Sequence, residues 1–213
     1  MLVSMTLLLA WPNRELNATA IHLASDSLLS DDQGNDWQYG PKIVRVHGLH
    51  EFMAYAGTSN LAMSLILQSA AVLSNTDVLG KGGSSRNPTL DARVRALELL
   101  LDQAVRTFPT RWLAKGDTTL VYCGFDHRRR QFRLFEIYLR KSGIKVAVGS
   151  LSSKRPLCYG SGAEKAKRLI AELGLHAVNA GRWHAHFCAA SDIDSGAIRL
   201  VVLNGNLTTQ RNR

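Results

Sequence analysis

The chain reads as an α+β protein built on antiparallel sheets, and three observations carry that reading. Its 213 residues are 46 % apolar and 20 % charged, ordinary values for one globular domain long enough to bury a sizeable core. Apolar segments of strand length are joined by short polar turns, so hairpins dominate over βαβ crossovers. Helical periodicity comes in two blocks set between groups of strands, which segregates helices from sheets.

Residues 6–11 and 17–24 form a hairpin about Pro12-Asn13-Arg14-Glu15, and Ser25 leads out of the second strand into Asp26. Ile43 to Val46 and Glu51 to Ala56 make a second strand pair, interrupted at His47-Gly48. From Asn60 the period becomes helical, with Leu61, Leu65, Ile66, Ser69, Val72 and Leu73 on one face. Gly80 to Pro88 is a Gly/Ser/Asn-rich surface loop; its Gly80-Lys81-Gly82-Gly83-Ser84-Ser85 follows no strand and lacks phosphate-loop spacing. A second helix runs from about Leu90 to Arg106, with Val94, Leu97, Leu101 and Val105 as its buried stripe.

Thr118 to Phe125 and Phe132 to Leu139 are strands flanking Asp126-His127-Arg128-Arg129-Arg130, whose arginines read as turn and edge charges. Ile144 to Val148 and Pro156 to Tyr159 are shorter strands. Ala163 to Leu173 is a helix launched by the glycine-flanked Ser161, and Ala180 to Ala190 is a weaker one. Ala197 to Leu203 is a strand ending at Asn204-Gly205-Asn206, a hairpin signal. There is no internal repeat, and residues 1–213 form one expected domain.

The formal net charge is +9. The basic residues are dispersed, with no RNP-like aromatic pattern and no helix-turn-helix signature, so a solvated basic surface is expected rather than a nucleic-acid site. Acidic peptides or an acidic partner surface remain compatible with that charge. Cys123, Cys158 and Cys188 are an odd set without CxxC spacing, which points to a reducing, cytoplasmic setting. No apolar run approaches the roughly 20 residues of a membrane span, and the first eleven residues lack the basic start of a signal peptide.

The residues that carry chemistry are Thr6 at the head of the first strand, Asp26 within Ser25-Asp26-Ser27, and Lys42 before Ile43-Val44-Arg45-Val46. Gly57 follows in Tyr55-Ala56-Gly57-Thr58, then Gly160-Ser161-Gly162 and Asp192-Ile193-Asp194-Ser195-Gly196. In this order they resemble the proteasome β-subunit family of N-terminal nucleophile (Ntn) hydrolases. The motifs that carry the resemblance run from Thr6 to Gly196. It implies a four-layer αββα sandwich of antiparallel sheets and a threonine-type endopeptidase needing no cofactor or metal. It also implies assembly into a homo-oligomeric ring, with peptides or unfolded proteins as substrates and an ATPase unfoldase as a further partner.

The chemistry is consistent with these residue types. A threonine hydroxyl needs a base within hydrogen-bond reach. A freed α-amino group, with an ordinary pKa of roughly 7.7–8.0, supplies one. A neighbouring ammonium lowers that value further, which is the role the resemblance gives Lys42, with Asp26 holding it in place. The Gly57 amide takes the oxyanion-hole position. Ser161, Asp192 and Ser195 match the residues that orient the amine and relay protons. By the same alignment Ser30 grips the substrate backbone, and Leu29, Tyr55 and Ser59 line an apolar specificity pocket.

Thr6 can act as its own base only when Met5 is gone. Either residues 1–5 are an autolytically removed propeptide, or translation starts at Met5 and the methionine is trimmed; the second route matches bacterial relatives that begin Met-Thr. The chain departs from the family at Leu28, where a basic or polar residue is usual, and at Leu7, where many relatives have a second threonine. Its first hairpin is longer and its stretch between Ser161 and Asp192 shorter, which marks divergence. Two other readings stand beside the peptidase: a non-catalytic ring or scaffold subunit, and an Ntn amidase acting on a small substrate.

Overall fold

A computed structural model describes residues 6–12, 20–26, 29–30, 36–37, 41–46, 50–75, 89–108, 118–140, 142–151, 156–172 and 199–204. Within them the fold is mixed α and β, with every strand pairing antiparallel. The strands are β1 (Leu8–Pro12), β2 (Ala20–Ser25), β3 (Leu29–Ser30), β4 (Asp36–Trp37), β5 (Ile43–Val46) and β6 (Glu51–Ala56). They continue as β7 (Thr118–Asp126), β8 (Gln131–Arg140), β9 (Gly143–Gly149), β10 (Leu157–Tyr159) and β11 (Arg199–Asn204). The helices are α1 (Ser59–Ser74), α2 (Leu90–Thr107) and α3 (Ala163–Glu172).

The larger sheet has the order β5-β6-β7-β8-β9, and the four-stranded sheet the order β10-β1-β2-β11. Both hairpins expected near the N-terminus form, β1 with β2 and β5 with β6. The two-residue pair β3–β4 had no counterpart in the sequence reading, because two residues are too few to show a period. The expected helix over 180–190 and the 80–88 loop lie outside the described residues.

Side-chain alternation along β6 shows how the core is divided. Met53 and Tyr55 join Leu61, Leu65 and Ile66 of α1 and Leu97, Leu101 and Val105 of α2 in one cluster. Phe52, Ala54 and Ala56 point the other way, meeting Leu8, Ala10, Ile21 and Leu23 of the four-stranded sheet. The opposite face of that sheet, through Leu7, Leu9, Trp11 and Ala24, packs on Ala166 and Ile170 of α3. Period-2 patterning thus gives each sheet two apolar faces.

Local chemistry sets the helix ends. In α2 the Thr89 hydroxyl accepts from the Ala92 N–H at 3.2 Å, and Asp91 and Arg106 sit in the turns where the helix dipole favours them. Arg93 reaches inward from the same first turn to the Glu51 carboxylate, which also accepts from the Tyr122 hydroxyl. All three are buried, so this ion pair pins α2 to β6 and β7. The β7–β8 arginines are more than edge charges. Arg129 and Arg133 both bridge Asp126 to Asp91 of α2.

Candidate active site

Thr6 lies just before β1, where β10 borders that strand through the Leu8↔Tyr159 pairing. Its nitrogen donates to the Ser161 hydroxyl at 2.9 Å. Its carbonyl accepts from the Gly162 N–H at 3.0 Å. Gly160 turns at φ 93°, a conformation that favours glycine. A Cβ at Gly160 would stand 2.3 Å from the Thr6 carbonyl oxygen and 2.8 Å from its hydroxyl oxygen. Thr6 therefore nests against the whole Gly160-Ser161-Gly162 turn, which at its far end starts α3 with the Ala166 N–H donating to the Gly162 carbonyl at 3.0 Å.

On the other side stands Asp26, at the end of β2. One carboxylate oxygen accepts from the Leu7 N–H at 2.8 Å and the other from the Lys42 ammonium at 2.6 Å. Asp26 returns its own N–H to the Leu7 carbonyl at 3.2 Å. Thus Asp26 grips the residue after Thr6 and orients Lys42 in one arrangement. Lys42 is 1 % exposed and Asp26 7 %. Burial pulls the Lys42 ammonium below its ordinary value against the attraction of Asp26; burial likewise lifts the Asp26 carboxyl, with Lys42 opposing. A buried pair of this kind is expensive to desolvate and is weak evidence of a purely stabilising role.

The Lys42 carbonyl accepts from the Tyr55 N–H at 3.1 Å, setting Lys42 beside the end of β6. Two residues on, Gly57 adopts φ 117°, again glycine territory. Thr58 follows at the α1 N-cap, its N–H donating to the Thr118 hydroxyl at 3.2 Å. The first turn of α1 carries no acidic residue. The positive end of a 16-residue helix thus begins immediately after the Gly57 amide, a setting that favours a developing negative charge.

The structure brings together Thr6, Asp26, Lys42 and Ser161 by direct hydrogen bonds around Thr6 and Leu7. Gly57 and Ser59 flank the end of β6, Ser59 half-buried as the first residue of α1. Leu29 and Ser30 form β3, with Leu29 opposite Trp37 and Ser30 opposite Asp36. Asp192 and Ser195 lie outside the described residues, as does Leu28.

Tyr55 differs from its expected role as a pocket wall. It is 0 % exposed and belongs to the helix-facing core, because the alternation that sends Ala54 and Ala56 between the sheets sends Tyr55 toward α1. Its ring has no surface to offer a substrate in this conformation. Its buried hydroxyl has no partner among the described residues, and burial, reinforced by the Asp26 charge, raises its pKa.

Sequence reasoning missed the part played by Gly160, whose lack of a side chain admits Thr6, though the glycine-serine-glycine run was the available signal. It also missed Glu136, which accepts from the Tyr159 hydroxyl at 2.8 Å. An acidic residue in an apolar strand was the only trace of it. Among the described residues no group of His, Cys, Asp and Glu is placed to hold a metal ion, and no helix is long and apolar enough to cross a membrane. No protein-family model matches the chain, and a search of curated proteins finds no match.

Proposed function

We propose that this chain is a threonine-type peptidase of the proteasome β-subunit class, with Thr6 as an N-terminal nucleophile. One observation supports it above the rest: the Thr6 nitrogen donates to the Ser161 hydroxyl, while the next residue, Leu7, donates its N–H to Asp26 of a buried Lys42–Asp26 pair. The three core clusters, stacked as helices, sheet, sheet and helix, fit the four-layer αββα sandwich of the Ntn hydrolases.

With Met5 removed, the Thr6 nitrogen becomes an α-amine hydrogen-bonded to Ser161. In the proposed reaction the Thr6 hydroxyl oxygen attacks the scissile carbonyl carbon and its proton passes to that amine. The carbonyl oxygen becomes an oxyanion facing the Gly57 amide and the α1 N-terminus. The Lys42 ammonium favours negative charge on the hydroxyl oxygen and keeps the amine basic near neutrality rather than above it. Collapse expels the amine half of the substrate, which takes the proton, and leaves an ester on Thr6. Water, deprotonated by the same amine, attacks the ester carbonyl; the bond to the Thr6 oxygen breaks, the amine returns the proton to that oxygen, and the carboxylic acid half departs. Asp192 and Ser195 are proposed to complete the surroundings of the amine.

Ser30 and Ser59 are proposed to contact substrate, with Leu29 contributing an apolar wall. A homo-oligomeric ring in the cytoplasm, acting on peptides or unfolded chains with an ATPase unfoldase as helper, completes the reading. Cys123 and Cys158 are free thiols, in keeping with a reducing compartment.

The test is turnover of fluorogenic peptides by wild type, Thr6→Ala and Lys42→Ala, each checked for folding. Wild type is expected to cleave and both variants to be inactive, a loss of about 10³-fold or more for removal of a nucleophile or its activating charge. Thr6→Ala with full activity would remove Thr6 from the mechanism. A folded, assembled wild type that cleaves neither peptides nor small amides would favour the scaffold reading, and cleavage of small amides alone the amidase.

A further inference from the structure

The groups proposed for catalysis come from two sheets. Thr6, Asp26 and Ser161 adjoin β1, β2 and β10, whereas Lys42 and Gly57 adjoin β5 and β6. Their mutual distances therefore depend on how one sheet is registered on the other. The contacts between the sheets are largely apolar, from Leu8, Ile21 and Leu23 to Ala54, Val121 and Leu134. Apolar burial is non-directional and selects no single lateral position.

Among the described residues two directional links cross that layer. One is Lys42–Asp26. The other joins the Tyr159 hydroxyl to Glu136 at 2.8 Å. Register places them at one level: Ile43, next to Lys42, lies opposite Ala54, which lies opposite Val121, which lies opposite Glu136. They are separated laterally by three strand spacings, roughly 14 Å. Two links at that separation resist rotation of one sheet over the other as well as sliding. Tyr159 is also the residue before Gly160, so whatever fixes Tyr159 fixes the turn that receives Thr6.

We propose that Glu136 and Tyr159 are positioning residues for the candidate active site, holding the Gly160–Ser161 turn at its working depth against Thr6 by tying β10 to the opposite sheet. The proposal rests on the reading of Thr6 as nucleophile.

The surroundings suit a fixed tie. The second Glu136 oxygen accepts from the Tyr138 hydroxyl at 2.5 Å, so both carboxylate oxygens are engaged. Burial, followed by the bond to Glu136, holds the Tyr159 hydroxyl far above the ordinary tyrosine value. The Glu136 bond and burial push Tyr138 up to about 12. Both hydroxyls thus remain donors across the range where an α-amine base works, roughly pH 7–9. A Cβ at Gly149 would meet Leu134 at 2.6 Å, Leu157 at 3.2 Å and a Glu136 oxygen at 3.4 Å, so glycine there leaves room for the carboxylate.

The test measures kcat and KM for a fluorogenic peptide in mature wild type, Tyr159→Phe, Glu136→Gln and Tyr138→Phe, with the folded fraction of each read by circular dichroism. Displacing a reacting group by about 1 Å costs up to ~100-fold. Tyr159→Phe is accordingly expected to lower kcat by about 10- to 100-fold, with KM held within about twofold. Glu136→Gln keeps an oxygen that accepts from Tyr159 and should lose less. Tyr138→Phe removes a bond confined to one sheet and should also lose less.

Tyr159→Phe with wild-type kcat per folded molecule overturns the proposal, as does Tyr138→Phe doing equal damage. Should Tyr159→Phe fail to fold, the comparison falls to Glu136→Leu, which removes the acceptor, and a kcat equal to wild type per folded molecule there overturns it. A wild type that cleaves neither peptides nor small amides overturns the nucleophile reading and this proposal with it, whereas active wild type with an insensitive Tyr159→Phe overturns this proposal alone.

Discussion

Gly160 is the position where one added atom would do most harm. A Cβ there would sit 2.3 Å from the Thr6 carbonyl oxygen, on a backbone held at φ 93°. Gly160→Ala is expected to cost about 1–3 kcal/mol in backbone strain and, by shifting Thr6, to lower kcat by up to ~100-fold. Thermal unfolding and peptide turnover on the same sample check both. Unchanged turnover would show that Thr6 does not work from the position it occupies here. Residue types and spacing in the sequence point to Thr6, Asp26, Lys42 and Ser161, and in the structure Thr6 bonds Ser161 while the Lys42–Asp26 pair bonds the adjacent Leu7. What spacing could not convey is direction. The resemblance makes Tyr55 a pocket wall, yet strand alternation turns it into the helix-facing core.

At the scale of elements, most strands and helices fall within a residue or two of where periodicity puts them, because each has one clear apolar face. The α2 stripe of Val94, Leu97, Leu101 and Val105 is buried as expected. Partnering was much less legible. That β10 borders β1 rather than β9 depends on a pairing about 150 residues apart in sequence, which no local period encodes. The ties from the β7–β8 turn to α2 were equally hidden, since arginines at a hairpin read as solvated.

Those ties make a pH prediction. Hydrogen bonds from Arg133, reinforced by Arg129, hold the Asp91 carboxyl below its ordinary 3.8. The folded state gives up that proton more readily than the unfolded one. The stabilisation is therefore fully present above about pH 4 and is lost as pH falls through the depressed folded value. Asp91 is half exposed, so the effect is small and salt-sensitive. Asp91→Asn is expected to unfold at a lower temperature than wild type at pH 7 in low salt, with the gap closing in strong acid. A gap independent of pH would mean that the ion pairs contribute nothing.

For the whole molecule, the proposed mechanism requires two sheets registered on each other and, in the proposed ring, several copies registered around one chamber. Leu67, Leu99 and Val148 stand exposed at 47 %, 75 % and 63 %. Light scattering on the purified protein is expected to give an integral multiple of the chain mass, consistent with a closed assembly. A strictly monomeric enzyme would leave the amidase reading ahead of the peptidase.

The central claim is that Thr6 acts through its own free amine. The most direct measurement is the N-terminal sequence and intact mass of the purified, assembled protein. The expected result is a chain whose first residue is Thr6, with an α-amine in place beside Ser161. Assembled chains in which Met5 remains joined to every Thr6 would contradict it, because the hydroxyl would then have no base.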